Sequence, residues 1–321
     1  MLKFLRTLTI AVAVTVMAGR PAPVPAQNAA LIPVHVGVLP NDDMIAVLYA
    51  QKTGMFAKAG LDVQIDRSSP NGSAIASAVS SGAYDIGKSS ITTIFDAYLK
   101  GLPFTLIGTA AVYESKAPYV GMMVPKDSPI HSITDFKTGI VGLSFIHDLG
   151  QLAILKAIDD AGGSTKDLQF TEIPMSAAAA AVDQGRVISA EASNPPLAAA
   201  LATGKVRLIP IYNIFGSAWP FSVWFTTKEF ASKHADVVKT FARVVAESAR
   251  YTNAHHDETA PMLAEFSGIS LAVIQHMPRV TNGTGVSISA VQTLIDAEAK
   301  YGFLARRFSA QEIVDADVAT K

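Results

Sequence analysis

The chain has 321 residues, 50% of them hydrophobic and 17% charged, with a formal net charge of −1 at pH 7. That composition describes a globular protein with enough chain for two cores, and the near-zero charge offers no basic field to nucleic acid or anionic lipid. The absence of cysteine excludes disulfides, thiolate metal sites, cysteine nucleophiles and a cysteine-linked lipid anchor.

Lys3 and Arg6 precede an apolar run over 7–18, and Val24-Pro25-Ala26 ends in a small residue. This is the pattern of a secretory leader, with residues 1–26 expected to be removed after Ala26, because the run is shorter than the roughly 18–20 residues that cross a bilayer. No later stretch reaches that length without charges, so the mature chain is expected to work in a periplasm without membrane insertion. Beyond the leader, strands at 34–39, 61–67, 85–87 and 104–109 alternate with helices at 44–53, 74–80 and 91–100. Such alternation of apolar runs with 3.6-periodic stretches is βαβ grammar, and crossover helices imply a mostly parallel sheet covered on both faces.

A second, similar set has strands near 140–143, 169–173, 187–191 and 206–211, separated by helices at 149–161, 177–184 and 196–203. The alanine run at 177–181 fits one ordinary helix, since alanine is the best helix former. From 235 to 253, Val237, Val238, Phe241, Val244 and Val245 recur at helical spacing with Ser248 on the same face, and another helix spans about 287–301. A tail of helices without strands of its own is expected to fold back onto the first lobe. The chain would then cross between lobes twice, near 120–125 and 215–222, placing 31–122 and 219–321 in lobe 1 and 123–218 in lobe 2.

The segment Tyr49-Ala50-Gln51-Lys52-Thr53-Gly54-Met55-Phe56-Ala57-Lys58-Ala59-Gly60-Leu61-Asp62-Val63 has a physical reading of its own. Gly54 ends a helix, Met55 and Phe56 make the hydrophobic contact after its cap, and Gly60 turns the chain into the next strand. The segment also closely resembles one typical of solute-binding proteins of the nitrate, sulfonate, taurine and thiamine-precursor class of ABC importers. Gly82-Ala83-Tyr84-Asp85-Ile86-Gly87 resembles that family's strand ending in a ligand-facing turn. Ser128-Pro129-Ile130-His131-Ser132-Ile133-Thr134-Asp135-Phe136-Lys137 resembles its way into the second lobe. Gly185-Arg186-Val187-Ile188-Ser189-Ala190 stands in place of a Gly-x-x-Asp-Ala pattern, with Ser189 where the family usually has Asp. The resemblance covers residues 34–225. It implies an α/β periplasmic-binding-protein, or Venus-flytrap, fold with two crossover connections, whose lobes close on a ligand and present it to a membrane permease served by a separate cytoplasmic ATPase. A monomeric receptor with no catalysis and no cofactor is expected.

Ligands of open α/β sheets sit outside the carboxyl ends of the strands, where loops lead into helix N-termini. The loops so placed are Pro40-Asn41-Asp42-Asp43, Ser68-Ser69-Pro70-Asn71-Gly72-Ser73 and Gly87-Lys88-Ser89-Ser90 in the first lobe. In the second they are Ser144-Phe145-Ile146-His147-Asp148 and Ala192-Ser193-Asn194-Pro195. The expected ligand-binding residues are Asn41, Asp42, Asn71, Gly72, Ser73, Lys88, Ser89, Ser90, Ser144, His147, Asp148, Ser193 and Asn194, with Trp219 beside the hinge as a stacking surface. Capping of its own helix is the competing role for each Ser, Asn and Asp. Tyr113 and Tyr212 are further stacking candidates, while Phe145 reads as core. Lys88 offers a partner to a sulfonate, carboxylate or nitrate, yet Asp42, Asp43 and Asp148 would repel an anion unless a cation lies between them. A small polar ligand with a positive or hydrogen-bond-donating group, taurine-like or aminopyrimidine-like, is therefore expected ahead of a plain anion such as a simple sulfonate or nitrate.

Other classes have weaker support. His255-His256-Asp257 is the one metal-like cluster, and adjacent histidines do not face one ion from a helix as an i, i+4 pair does. Gly142-Leu143-Ser144-Phe145-Ile146 lacks the second glycine of a nucleophile elbow, and Gly283-Thr284-Gly285 stops short of a dinucleotide fingerprint. Ser144, His147 and Asp148 are neighbours in sequence, which does not supply triad geometry. No catalytic or metal-ligating residue is assigned. An enzyme on the same fold acting on a small heterocyclic or sulfur-containing substrate, and a sensor for a membrane signalling partner, stay open as alternatives.

Overall fold

The computed structural model describes residues 30–320, so the expected leader and its cleavage point lie outside the described residues. The chain begins with β1 (Ile32–Gly37), α1 (Ile45–Lys52), a short α2 (Met55–Lys58), β2 (Leu61–Asp66), α3 (Gly72–Ser80), β3 (Ile86–Ser90), α4 (Ile91–Leu99) and β4 (Phe104–Glu114). Val34, Val36 and Val38 are buried, and β1 pairs in parallel with both β2 and β3. Gly54 adopts φ +72° between α1 and α2, the left-handed conformation in which glycine carries no Cβ penalty. Phe56, just beyond it, stacks on Phe241 at 5.5 Å between ring centroids.

The chain then builds a second sheet from β5 (Val120–Pro125), β6 (Gly139–Leu143), β7 (Leu168–Glu172), β8 (Ser189–Ser193) and β9 (Val206–Ile209), with α5 (Leu149–Asp160), α6 (Met175–Asp183) and α7 (Pro196–Ala202) as its helices. It returns through β10 (Ala218–Thr227) and ends in α8 (Lys228–Lys233), α9 (Ala235–Thr252), α10 (His256–Ser267), α11 (Leu271–His276) and α12 (Ile288–Lys300). The strand orders are β2-β1-β3-β10-β4 and β7-β6-β8-β5-β9. In each sheet the fourth strand, β10 in the first and β5 in the second, follows directly on a crossing and runs antiparallel to both neighbours. The chain adopts the α/β class and the two-sheet architecture expected of it.

Most of the two segments expected to act as hinges is strand: 120–125 is β5 and 218–222 opens β10, while 215–217 lie before that strand. Val120, Met122, Met123 and Val124 are buried within β5, as are Trp219, Val223, Trp224 and Phe225 within β10. β-branched and aromatic side chains buried on both faces favour exactly such central strands over linkers. Sheet membership places the crossings at 115–119 and 210–217, so the expected boundaries at 122/123 and 218/219 fall inside β5 and β10.

The amphipathic face of α9 closes the first sheet, with Phe241 between Phe56 and Trp224, the latter an edge contact at 5.5 Å. This is the fold-back expected of the tail. Helices α10 and α11 escape the sequence reading because α11 has only 6 residues, too few to show a helical period, and Pro261 interrupts the α10 pattern. They bury Ala260, Leu263, Ile274 and Met277 against Ile45 and partly buried Ala198 of α7, which carries the tail across to the second sheet's helices.

Candidate functional site

A cavity of about 100 Å³ opens between the carboxyl ends of the two sheets, lined by both. It has room for several waters or one small organic molecule. The first wall comes from the loop after β1, the end of β3 and the first turns of α3 and α4. Asn41, Gly72, Lys88, Ser89 and Ser90 stand here. Asn71 caps α3 by accepting from the Ala74 amide at 2.8 Å, and Ser90 caps α4 by accepting from the Thr93 amide at 3.4 Å. A Cβ on Gly72 would overlap the Ser89 hydroxyl, so glycine is what lets α3 begin against the end of β3.

Lys88 has another partner than the one expected. It is 1% exposed, and its Nζ donates to Asp43 Oδ1 at 2.5 Å, while Asp43 Oδ2 accepts from the Ser222 hydroxyl at 2.6 Å. A buried carboxylate and a buried ammonium offset one another's desolvation in this way. The one cation of the cavity is thus committed to the wall itself. Ser89 is 2% exposed and its Oγ has no hydrogen-bond partner among the described residues.

The second wall is acidic. Ser144 leaves β6, Asp148 caps α5 by accepting from the Gly150 and Gln151 amides at 2.9 and 3.4 Å, and Glu191 projects from β8. Glu191 accepts from the Ser144 amide at 3.1 Å and from the Tyr212 hydroxyl. It sits against the first turn of α5, where a Cβ on Gly150 would lie 3.1 Å from its Oε1. The positive end of that helix favours a carboxylate there. Asp148 keeps some solvent contact, but its carboxyl lies deep between the lobes. Burial, reinforced by the Glu191 charge, holds it well above the ordinary carboxylate range despite its two capping bonds. Burial and the same Glu191 charge push the Tyr212 phenol well up. The Ser144 hydroxyl, like that of Ser89, is buried without a partner.

Of the expected residues, the structure gathers Asn41, Gly72, Lys88, Ser89, Ser90, Ser144 and Asp148 at this cavity. Ser73 and His147 line an adjoining hollow of about 400 Å³ at its mouth, with Glu172 and Glu298. His147 sits at φ +61° with its ring edge-on to Phe303 at 5.4 Å. The remaining expectations are corrected. Asp42 is buried in an ion pair with Arg279, Nη2 to Oδ1 2.8 Å, and also accepts from the Val280 amide at 2.7 Å. Burial raises its pKa against the pull of Arg279. Asn71 serves as a cap rather than a lining residue. Ser193 donates to the Met175 sulfur at 3.2 Å, and Asn194 donates to the Pro278 carbonyl at 2.7 Å and accepts from the Ala198 amide at 3.0 Å. Trp219 is buried in an aromatic cluster with Tyr113, Tyr212, Phe215 and Phe221, centroids 5.3–5.9 Å apart, at the crossings rather than at the cavity. Phe145, read as core, is 46% exposed and lines the cavity.

Glu191 and Ser222 are polar cavity residues outside the expected set, and Tyr212, a stacking candidate, also lines the cavity. Glu191 had a signal: a lone carboxylate inside the small, otherwise uncharged strand Ser-Ala-Glu-Ala-Ser, a buried position that a charge occupies only with partners. Chemistry of the triad kind has no geometry here, since Ser144 Oγ has no partner and His147 turns to Phe303. Nor does His255-His256-Asp257 form a metal set. His255 stacks on Tyr251 at 3.9 Å, and among the described residues no three His, Asp or Glu side chains come together as metal ligands.

A family model described as NMT1/THI5 like matches residues 41–259, from the first loop of the site to the middle of the helical tail. The chain belongs to the NMT1/THI5-like family. Among curated relatives of this NMT1/THI5-like chain is the putative aliphatic sulfonates-binding protein of Escherichia coli (strain K12), 25% identical over 219 residues, 66% of each chain. The chain therefore spans just under two thirds of that relative's length. Among solved structures, the periplasmic aliphatic sulphonate binding protein SsuA from Escherichia coli superposes with a TM-score of 0.75 at 19% identity, covering 90% of this chain and 99% of that one. The periplasmic nitrate-binding protein NrtA from Synechocystis PCC 6803 gives a TM-score of 0.74 at 13% identity, covering 90% and 87%. The fold is that of periplasmic binding proteins, as the four short stretches of resemblance implied.

Proposed function

We propose that this chain is the exported solute-binding component of an ABC importer, capturing a small polar organic ligand between its two lobes and delivering it to a membrane permease. One observation carries the reading: a single cavity is walled by Ser89 and Ser90 at the end of the first sheet and by Ser144, Asp148 and Glu191 at the end of the second. A ligand that touches both walls gains its full contacts only when the lobes meet, so it stabilises the closed form in proportion to that difference. A closed, loaded form is what a permease can distinguish from an empty one. Among the described residues only 115–119 and 210–217 run from one sheet to the other, and these crossings are the proposed hinge. The sulfonate-binding and nitrate-binding functions named for the relatives support the same role, and the expected leader supports a periplasmic location.

The test uses the full chain expressed with its leader. The mature protein should begin at Gln27 by intact mass, and denaturation of natively purified protein should release a small molecule in stoichiometric amount. After that molecule is removed and restored, small-angle scattering should show the radius of gyration falling on its return. An unchanged radius at saturation would refute capture by lobe closure.

A further inference from the structure

Three carboxylates and one cation line the cavity, and the cation is spent: Lys88 is paired with Asp43. Asp148 and Glu191 on the opposite wall have no lysine, arginine or histidine ion pair among the described residues. Asp148 uses Oδ1 for the α5 cap, and no donor among the described residues reaches its Oδ2. Glu191 receives one donor on each oxygen, from Tyr212 and Ser144, whereas a carboxylate offers about four acceptor sites. Two buried hydroxyls without partners, Ser89 Oγ and Ser144 Oγ, line the same cavity from its two sides. A buried polar group without a partner costs free energy that a bound polar molecule recovers.

The helix N-termini at this cavity pull the other way, toward an anion, and their weight decides the matter. Each carries roughly half a positive charge. The N-terminus of α5 is already answered by Asp148 and Glu191, which leaves the first turns of α3 and α4, capped by Asn71 and Ser90. Those two partial charges act from the first wall. They can seat an acceptor end of a ligand, but they stand across the cavity from Asp148 and Glu191 and leave that acidic pair without a cation.

Resting on the receptor reading above, we propose that Asp148 and Glu191 form a cation subsite, so that the cavity selects a ligand bearing an ammonium, amidinium or guanidinium group and rejects an otherwise similar molecule that lacks one. The nitrogen donates to Asp148 and Glu191, and the free hydroxyls of Ser89 and Ser144 complete its surroundings. An acceptor end of the same molecule then faces the first turns of α3 and α4. The subsite separates this chain from a receptor for a bare sulfonate or nitrate.

Calorimetric titration with matched probes tests the subsite: taurine against ethanesulfonate, 4-aminopyrimidine against pyrimidine, and acetamidine and guanidine against nitrate. At least one nitrogen cation or amine should bind saturably below about 1 mM, and its partner without that group should bind at least about tenfold more weakly. Asp148→Asn, which keeps the α5 cap, and Glu191→Gln, which keeps an acceptor for Tyr212, should each weaken the amine probe by about ten- to a hundredfold and erase the discrimination. Circular dichroism of both variants controls for folding. Ethanesulfonate or nitrate binding as tightly as the amine-bearing probe would overturn the subsite, as would the absence of any saturable response to the cations. A co-purifying anion that nevertheless compacts the protein would overturn the subsite while leaving the receptor reading intact.

Discussion

Replacing Lys88 by Met tests whether its charge belongs to the wall or to the ligand. Met retains most of the aliphatic stem and removes the ammonium, leaving Asp43 6% exposed with only the Ser222 hydroxyl at 2.6 Å. Removing one partner of a buried ion pair costs about 3–5 kcal/mol because the other charge is left uncompensated. The pair here is 2.5 Å apart with the lysine 1% exposed, so the full range applies without a discount for solvent screening. Restoring neutrality with Asp43→Asn in the same chain keeps an acceptor for Ser222 and should recover most of that loss. Urea unfolding at an unchanged m-value is the assay. A cost below about 1 kcal/mol for Lys88→Met, or additivity of the two substitutions within about 0.5 kcal/mol, would show that Lys88 is not committed to Asp43.

Two further outcomes follow from buried groups. Glu298 is 2% exposed with Oε1 unpartnered, and burial together with the Asp96 charge holds its pKa well above the ordinary range. A folded-state pKa above the unfolded value means that stability is full below the ordinary carboxylate range near about 4.3 and is lost as pH rises through the raised value. Glu298→Gln should therefore gain about 1–3 kcal/mol at about pH 8 and nothing at about pH 3.5, and an equal effect at both would contradict this. Trp219→Ala removes the centre of the aromatic cluster at the crossings and should cost about 3–5 kcal/mol in urea unfolding. In the same variant the amine probe should keep its affinity within about threefold once folding is corrected for, since Trp219 does not line the cavity.

The loops of the site were legible in the sequence because strand ends and helix starts announce themselves: Ser90, Asn71 and Asp148 are at once caps and wall residues or their neighbours. The partnerships were not. Lys88 finds Asp43 across 45 residues and Asp42 finds Arg279 across 237, separations at which spacing in the chain carries no information. β5 and β10 resemble connections in the sequence because each follows directly on a crossing between the sheets, and β10 joins a sheet whose other strands all lie before residue 115. Trp219 was drawn to the ligand by its place beside a supposed hinge, whereas its ring fills the junction beneath it, and its indole N–H donates to the Tyr212 carbonyl at 3.3 Å. Glu191 lies just before the loop that the strand-end rule selects, although a carboxylate amid alanine and serine in a buried strand marks a position held for its charge.

The capture surface itself is most directly tested by amide hydrogen exchange with and without the tightest-binding amine probe. Simultaneous slowing at 89–93 on the first wall and at 144–151 on the second, with the outer helix α9 unchanged, is the expected result. Slowing confined to one wall, or appearing only away from both, would contradict capture between the lobes.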